Sequence, residues 1–474
     1  MPHAPIYVVD GARTPFLKAR NAPGPFSAAD LAVQAGRALL LRQPFAPTDL
    51  DEVIIGCAAP SADEVNIGRV IALRLGCGDR VPGWTVMRNC ASGMQALDSA
   101  MANIHTGRSS LVLVGGVDAL SRAPLLVSDE MTRWLARWSS ARKLGDRVST
   151  LRQFPWRKIA PVIGLLKGLT DPVVGLSMGQ TAENLATQFG ITRKEMDEYS
   201  ARSHARALAT RSDPVDDTPH SNHNPATSLP PASNTAVDTS THVDDTITTG
   251  IDTATTSATT REIIPLIDSR GTLYPIDDGV RDDSTPERLS KLRPVFDKPW
   301  GNITAGNSSQ VTDGAALLIL ASEDAVKRWD LQPLGRIVDS QWAALDPAQM
   351  GLGPVHACTP ILQRHGLGLN DLDLWEINEA FAAQVLACLA AWNDDAYCRE
   401  HLGTDAWGIL NQEHLNIEGG AIALGHPVGA SGARIVLHML QLLRTRGLQR
   451  GMAAICIGGG QGGAMLVDTG EASS

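Results

Sequence analysis

The chain is poor in aromatic residues, which make up only 4% of its 474 residues, whereas it holds 44 glycines. Small residues let helices and strands approach closely, so this composition predicts tightly packed α/β structure. No apolar run reaches the ~18 residues that a membrane-spanning helix needs. The N-terminus has no signal-peptide pattern, and a reducing, cytoplasmic location is therefore predicted.

The seven cysteines form no C-x-x-C pair, and their number is odd. Disulfides are therefore not expected, and a structural zinc site has no support. Neither a metal nor a permanently bound cofactor is predicted. The formal net charge of −10 argues against a nucleic-acid partner, because such partners are held by basic side chains.

Apolar segments and amphipathic segments alternate along both ends of the chain. This alternation predicts a mostly parallel sheet that is covered by helices on both faces. A glycine-rich break between two apolar segments within 452–468 predicts a hairpin or a tight loop. The predicted strands are 5–10, 53–57, 84–88 and 111–116, and 313–322 is either a buried strand or a short helix. The predicted helices are 27–43, 66–76, 93–106, 379–392 and 432–446.

Two stretches depart from this pattern. Residues 212–260 contain no Lys or Arg but thirteen Thr and seven Asp, so they predict a disordered insertion without a catalytic part. Residues 131–170 carry nine Lys or Arg against one Asp, together with several Trp. They are either a solvated helical face or a basic amphipathic surface for a membrane or a partner subunit.

Cys90 lies where the pattern places the end of a strand and the start of a helix. A thiol at this point faces free backbone N–H groups and the positive end of the helix dipole, and both favour the reactive thiolate. The alternative is a buried and inert cysteine, the usual state of a free thiol. Cys90 is therefore a candidate nucleophile.

Three further positions have candidate chemistry, each with a structural alternative. His426 lies in a glycine-rich loop that enters a helix, where a substrate can approach the backbone closely. Cys456 ends an apolar segment, where core packing is the alternative. Asn378 is predicted at the N-cap of a helix, where its simplest role is capping. Together with Cys90 they describe a thioester site with a nucleophile, a base, a second proton carrier and oxyanion donors.

This combination, in this order and spacing, resembles the thiolase family over nearly the whole chain outside 212–260. The resemblance implies an α/β fold with two similar halves in five layers (αβαβα) and an inserted loop domain. The halves would be 1–120 plus 291–325 and 326–474, with the loop domain at 121–290. The motifs are 11–16 (GARTPF), 89–93 (NCASG), 178–184 (MGQTAEN), 291–294 (KLRP), 378–382 (NEAFA), 425–427 (GHP) and 456–460 (CIGGG).

The resemblance also implies a role for each candidate residue. Cys90 would accept the acyl group, and His426 would activate it and contribute to one oxyanion hole. Asn378 would hold a water in that hole. Cys456 would be the acid and base at the substrate α-carbon, and the backbone N–H groups of Cys90 and Gly458 would form a second hole.

The implied activity is that of an acetyl-CoA C-acyltransferase of fatty-acid β-oxidation, which cleaves 3-ketoacyl-CoA with CoA. Coenzyme A, as a substrate, would lie near Met178, Ala380 and Phe381. Residues 131–170 look like those of thiolase subunits in β-oxidation complexes. The implied partners are acyl-CoA and CoA, a second copy in a homodimer or homotetramer, and a hydratase/dehydrogenase subunit or a membrane surface.

Ser177 stands where several short-chain members carry a His, and Arg288 stands where some carry a Ser. Both departures favour a broad 3-ketoacyl-CoA enzyme over an acetyl-CoA acetyltransferase that acts mainly on acetoacetyl-CoA, which is the alternative. A 3-ketoacyl synthase typically has a His or Asn where this chain has Cys456. A non-catalytic acyl-CoA-binding protein would have lost one of Cys90, His426 or Cys456.

Overall fold

The computed structural model describes residues 5–20, 22–211 and 261–470. The insertion predicted at 212–260 lies outside the described residues. The strands are β1 Ile6–Arg13, β2 Leu17–Lys18, β3 Glu52–Gly56, β4 Gly83–Val86, β5 Leu111–Ala119, β6 Leu125–Leu126, β7 Val162–Ile163, β8 Leu266–Ile267, β9 Leu273–Tyr274, β10 Thr312–Ala321, β11 Gly335–Ala344, β12 Leu374–Ile377, β13 Arg450–Ile457 and β14 Gln461–Asp468.

The helices largely follow the predicted periodicity. Ser27 begins the first of them as an N-cap, because its hydroxyl accepts from the Asp30 N–H while the Asp30 carboxylate accepts from the Ser27 N–H. The helices are α1 Ala28–Leu41, α2 Ile67–Arg74, α3 Ser92–His105, α4 Asp129–Ser140, α5 Leu144–Arg152, α6 Gly164–Gly168, α7 Met178–Gln188, α8 Arg193–Ala209, α9 Pro286–Leu289, α10 Glu323–Arg328, α11 Gly353–His365, α12 Ala382–Asn393, α13 Asp395–Tyr397, α14 Ala421–Leu424 and α15 Val428–Arg446.

The main sheet contains the same strand arrangement twice. In the first half the order is β4-β3-β5-β10-β1, and in the second it is β12-β13-β14-β11. In each half a parallel pair, β3 with β5 or β12 with β13, is followed by two antiparallel pairs. A short antiparallel pairing of β1 with β11 joins the halves. The two similar halves that the family resemblance implies are therefore visible in the topology.

Three hydrophobic clusters separate the layers. One packs α1 and α2 on the strands of the first half, and another packs α11 and α12 on the strands of the second half. The third contains α3 and α15 together with strands from both halves. Two outer helix layers and one central helix layer pack on the two halves of the main sheet, which gives the predicted five-layer αβαβα order.

The central helices α3 and α15 come into close backbone contact near their N-termini. A Cβ atom on Gly93 would lie 2.8 Å from the Gly429 carbonyl oxygen and 3.0 Å from the Ala433 Cβ. Only glycine fits at this crossing, so the close approach of the two helices depends on Gly93. Cys90 and His426 immediately precede these two helices, so the crossing brings both candidate residues to one place.

The prediction of a mostly parallel sheet is wrong. The described parallel pairs are β3 with β4, β3 with β5 and β12 with β13, whereas the remaining neighbours in the main sheet are antiparallel. The physical reason is that the last strand of each half, β10 or β14, is antiparallel to both of its neighbours. The hairpin predicted within 452–468 is confirmed as β13 and β14.

The segment between β5 and α7 forms a small, largely exposed layer. β6 pairs with β7, and the amphipathic helices α4 and α5 bury only Met131 and Thr150 respectively. Among the described residues, no helix has the length and apolar character needed to cross a membrane. The domain boundaries given above stay predictions.

Candidate active site

Cys90 lies in a single 3-10 turn, Asn89–Ala91, between β4 and α3. Asn89 has a positive φ of 44°, a conformation that Asn tolerates better than most residues and that often occurs at functional sites. The Asn89 side-chain amide donates to the Gly458 carbonyl oxygen over 2.8 Å. This bond ties the Cys90 turn to the loop between β13 and β14.

The expectation that the resting Cys90 thiol favours the thiolate is wrong. Backbone N–H groups of Gly458 and Cys90 act in that direction, but desolvation is larger and raises the pKa of the Cys90 thiol above its ordinary value. The buried carboxylate of Asp118 raises that pKa further. The position at a helix start therefore does not ionise Cys90 by itself, and its reaction requires a base.

His426 meets the requirements for that base. Burial, together with the nearby charge of Arg434, lowers the pKa of His426 to about 4, so the imidazole is neutral near pH 7. Its Nδ1 lies 2.6 Å from the Ser431 hydroxyl oxygen, and that hydroxyl donates to the Pro427 carbonyl oxygen over 3.1 Å. With the Ser431 hydroxyl donating to Pro427, the Ser431 oxygen accepts from Nδ1–H, and this tautomer leaves the lone pair on Nε2.

The Nε2 atom of His426 is buried and has no hydrogen-bond partner among the described residues. The His426 backbone N–H donates to the Gln310 carbonyl oxygen over 2.9 Å, which fixes the loop. A neutral imidazole with a fixed tautomer and an unpaired lone pair can accept a proton from a thiol.

Cys456 lies near the end of β13, opposite Gly462 of β14, and is almost fully buried. Burial raises its pKa well above the ordinary value, and a negative charge on Cys90 would raise it further. The thiol is therefore held in its protonated form, ready to donate a proton. Gly458 follows two residues later, with its backbone N–H directed at the Cys90 thiol.

The N-cap prediction for Asn378 is wrong. Asn378 follows β12, and the helix begins only at Ala382 with Phe381 as its N-cap. The backbone N–H of Asn378 donates to the Ala454 carbonyl oxygen over 2.9 Å, so the residue continues the edge of the sheet. Both polar atoms of its side-chain amide are buried without a partner among the described residues. A buried and unpaired amide fits a group that binds something other than the helix end.

Glu379, the neighbour of Asn378, holds this segment in place. Its carboxylate accepts from the Tyr199 hydroxyl over 3.0 Å, the Ser203 hydroxyl over 2.7 Å and the Asn416 side-chain amide over 3.0 Å. It also accepts from the Ile422 N–H. The 378–382 motif therefore supports the loop that leads to His426.

Most of the candidate residues surround one cavity of about 380 Å³, here called the catalytic cavity. Cys90, His426 and Cys456 line it, as do the three residues predicted to contact coenzyme A, Met178, Ala380 and Phe381. Ser177 also lines it and caps α7. Gly458 lines an adjoining cavity of about 580 Å³, here called the second cavity, whereas Asn378 lies in neither lining.

Sequence reasoning missed two groups at this site. Ser308, Ser309 and Gln310 line the catalytic cavity, and the signal was a run of small polar residues before the apolar strand β10. Asp118 is fully buried and accepts from the backbone N–H groups of Ala59 and Gly429. Burial raises the pKa of Asp118 to about 6. Its signal was a single carboxylate within an apolar strand.

The sequence matches the description "Thiolase, N-terminal domain" over residues 6–215 and 250–324, and "Thiolase, C-terminal domain" over residues 331–469. A 3-ketoacyl-CoA thiolase of Yersinia enterocolitica is 34% identical over 466 residues, which cover 98% of this chain and 96% of that protein. The mitochondrial trifunctional enzyme subunit beta of Bos taurus is 32% identical, with coverages of 98% and 88%.

Solved structures agree with these sequence matches. Human mitochondrial 3-ketoacyl-CoA thiolase in complex with CoA has a TM-score of 0.75 and 33% identity, with 98% of each chain covered. An acetyl-CoA acetyltransferase from Syntrophomonas wolfei has a TM-score of 0.77 and 29% identity, with 98% of this chain and all of that chain covered. The fold, the duplicated topology and the sequence matches lead to one conclusion: this chain belongs to the thiolase family of acyltransferases.

Proposed function

We propose that this chain is a 3-ketoacyl-CoA thiolase that cleaves its substrate with CoA through an acyl group on Cys90. The observation that carries this proposal is the convergence of Cys90, His426 and Cys456 on the catalytic cavity. A protonated nucleophile beside a neutral base, with a second protonated thiol, is the set that carbon–carbon bond cleavage in a 3-ketoacyl thioester requires.

In the first half-reaction, Nε2 of His426 takes the Cys90 proton and the thiolate attacks the C3 carbonyl. The backbone N–H groups of Cys90 and Gly458 donate to the resulting oxyanion. The C2–C3 bond then breaks, and its electron pair passes to C2 as the enolate of acetyl-CoA. Cys456 protonates C2, while His426 and a water held by Asn378 donate to the enolate oxygen.

In the second half-reaction, acetyl-CoA leaves and a new CoA enters. The Cys456 thiolate takes the proton of the incoming CoA thiol, and the CoA sulfur attacks the acyl group on Cys90. The shortened acyl-CoA departs with Cys90 as the leaving thiolate, which recovers its proton from His426. Both cysteines and the histidine thus return to their starting forms.

The wild-type protein is expected to consume CoA and release acetyl-CoA from both acetoacetyl-CoA and 3-ketohexadecanoyl-CoA. Release can be measured by separating the CoA esters after timed incubation. Cleavage of acetoacetyl-CoA alone would favour the alternative, an acetyl-CoA acetyltransferase. Binding of acyl-CoA without any cleavage would contradict the proposal and favour the non-catalytic alternative.

The proposal also covers oligomeric state, location and metabolic role: the protein would be a homodimer or homotetramer in the cytoplasm that acts in fatty-acid β-oxidation. A relative named trifunctional enzyme subunit beta supports a partner subunit, and a hydratase/dehydrogenase is the partner that the reaction sequence would need. These assignments stay predictions.

We also propose that the 131–170 segment docks on an anionic lipid surface. The protein has a net charge of −10, yet this segment has nine basic residues and one acidic residue. The segment exposes large apolar side chains beside those charges, including Leu144 (80% exposed) and Trp156 (75% exposed). Exposed Trp and Leu beside Lys and Arg are typical of segments that lie at a membrane interface.

Reversing the charges of Arg152, Arg157 and Lys158 to Glu is expected to abolish co-sedimentation with vesicles that contain anionic lipids. The matched control reverses the exposed residues Arg108, Lys194 and Arg270, which gives the same change of net charge outside the segment. Equal binding by both triple variants would contradict the lipid proposal. Loss of hydratase/dehydrogenase binding in the first variant, with lipid binding intact, would assign the segment to a partner subunit instead.

A further inference from the structure

The catalytic cavity and the second cavity meet at Cys90. Seven residues line both: Cys90, Leu120, Leu165, Leu169, Thr170, Met178 and Val428. Cys456 and His426 line only the catalytic cavity, whereas Asn89 and Gly458 line only the second. A group bonded to the Cys90 sulfur can therefore extend in two directions, and the two directions differ in chemistry.

The reaction assigns one direction to each end of the substrate, an argument that rests on the proposed function. Cys90 attacks C3, and C2 must lie beside Cys456 to receive its proton. The thioester end of the substrate, which begins at C2, therefore occupies the catalytic cavity. The alkyl chain on the other side of C3 must leave Cys90 through the second cavity.

The second cavity suits an alkyl chain. Most of its large lining side chains are apolar, and Gln461 is the one long polar side chain among them; the apolar ones are Leu120, Leu126, Leu165, Leu169, Val173, Met178 and Val428. The carboxylate of Asp171 is also part of the lining, but it accepts from the backbone N–H groups of Val173 and Val174 over 2.8 and 3.1 Å. The Asn89 amide is likewise paired, with the Gly458 carbonyl oxygen. An apolar chain would therefore meet few unpaired polar groups.

The helix α6 forms part of the boundary between the cavities, and its two glycines differ in the space available for a side chain. A Cβ atom on Gly164 would lie 2.5 Å from the Pro124 carbonyl oxygen, which accepts from the Gly164 N–H over 3.0 Å. Packing therefore requires Gly164. A Cβ atom on Gly168 would meet nothing within 4 Å, and the φ of Gly168 is not positive. Neither packing nor backbone conformation requires glycine at 168.

With the alkyl chain in the second cavity, as the proposed reaction requires, we infer that Gly168 sets the chain length that this cavity accepts. Gly168 is exposed, and it lines the second cavity but not the catalytic cavity. The exposed apolar residues Leu126 and Val173 lie on the same cavity and extend it towards the surface. The absence of a side chain at 168 leaves this exit open, so that a long chain can pass beyond the enclosed part.

Two variants test this inference in different ways. Gly168→Leu adds bulk to the exit, and Leu126→Asp places a carboxylate beside the chain. For both, the loss of kcat/KM with 3-ketohexadecanoyl-CoA is expected to exceed the loss with acetoacetyl-CoA by at least about 10-fold, as shape and polarity changes in an apolar pocket produce. Gly145→Leu is the matched control, because a Cβ atom there also meets nothing within 4 Å and Gly145 lines neither cavity.

The outcomes separate this inference from the function on which it rests. A selective long-chain loss in both variants, but not in Gly145→Leu, supports it. If both variants lose the two substrates in equal proportion, or lose neither, the alkyl chain does not pass Gly168 and the inference is overturned while the thiolase function stands. If the wild-type protein cleaves neither substrate, the inference and the proposed function both fail.

Discussion

Replacing Cys90 with alanine is expected to remove thiolysis of every 3-ketoacyl-CoA, with a fall in kcat of at least about 10⁴-fold. The cause is that no other described thiol lining the catalytic cavity can replace it. Cys456 is held protonated by burial, and its proposed task is to protonate C2. Without Cys90 no nucleophile attacks C3 and accepts the acyl group, so the C2–C3 bond is not cleaved.

The measurement has two parts. Timed release of acetyl-CoA gives the rate, and the mass of intact protein after brief mixing with substrate shows whether an acyl group is attached. Cys77→Ala is the matched control, because Cys77 is another free cysteine and lies in the outer core of the first half. An acylated Cys90→Ala protein, or thiolysis at a tenth of the wild-type rate, would assign the nucleophile elsewhere.

The electrostatics of Cys90 and His426 determine how the nucleophile is activated. Burial raises the pKa of Cys90 and lowers the pKa of His426, so both groups rest in their neutral forms. An ion pair at rest would need a thiol pKa below that of the imidazole, and these shifts separate the two values in the opposite direction. Proton transfer therefore accompanies substrate attack, when the developing oxyanion meets the N–H groups of Cys90 and Gly458.

The local parts of the fold could be predicted from the sequence because each has a local cause. Ser27 begins α1 through its own hydroxyl, and the glycine-rich break after Ile457 forms the β13–β14 turn. Cys90 was placed before a helix because an extended segment changes to an amphipathic one at that point. In each case the residues that decide the structure lie within a few positions of one another.

The errors concern relations between distant residues. The direction of β10 depends on its pairing with β1 and β5, which lie about 200 to 300 positions earlier in the chain, and no periodicity encodes that choice. Asn378 has the side chain of a helix cap, but β12 extends the backbone there and defers the helix to Ala382. The pKa of Cys90 is raised by burial, and burial becomes visible only when both halves are assembled.

Some of the site could be inferred only from the family resemblance. Composition and spacing left Cys90, His426 and Cys456 as three separate candidates, each with a structural alternative. Their convergence depends on the crossing of α3 and α15, where Gly93 and Gly429 allow backbone contact. The glycines are visible in the sequence, but their pairing is not. Asp118, which ties Gly429 to the loop at Ala58 and Ala59, gave no recognisable motif at all.

Replacing Cys456 with alanine is expected to lower thiolysis by about 10²- to 10⁴-fold, because proton transfer to C2 loses its donor. Exchange of an acyl group between acyl-CoA and labelled CoA should fall less, since it needs Cys456 only for proton transfer with the CoA thiol, which ionises far more readily than a carbon acid, and it breaks no carbon–carbon bond. Cys90→Ala should lose both reactions. The two variants therefore divide the chemistry between the two thiols.

The comparison needs variants that keep the core intact. Cys456→Ser retains the size of the side chain but offers a much weaker acid, so it should resemble Cys456→Ala in thiolysis. Cys358→Ala, which removes another fully buried thiol from the same core, should retain both reactions. If Cys456→Ala and Cys456→Ser lose exchange as severely as thiolysis, the main task of Cys456 is not proton transfer at C2; it then acts on the CoA thiol, on the acyl-enzyme or on the shape of the cavity. If they retain thiolysis, the proton at C2 comes from another group, and His426, which also lines the catalytic cavity, is then the candidate.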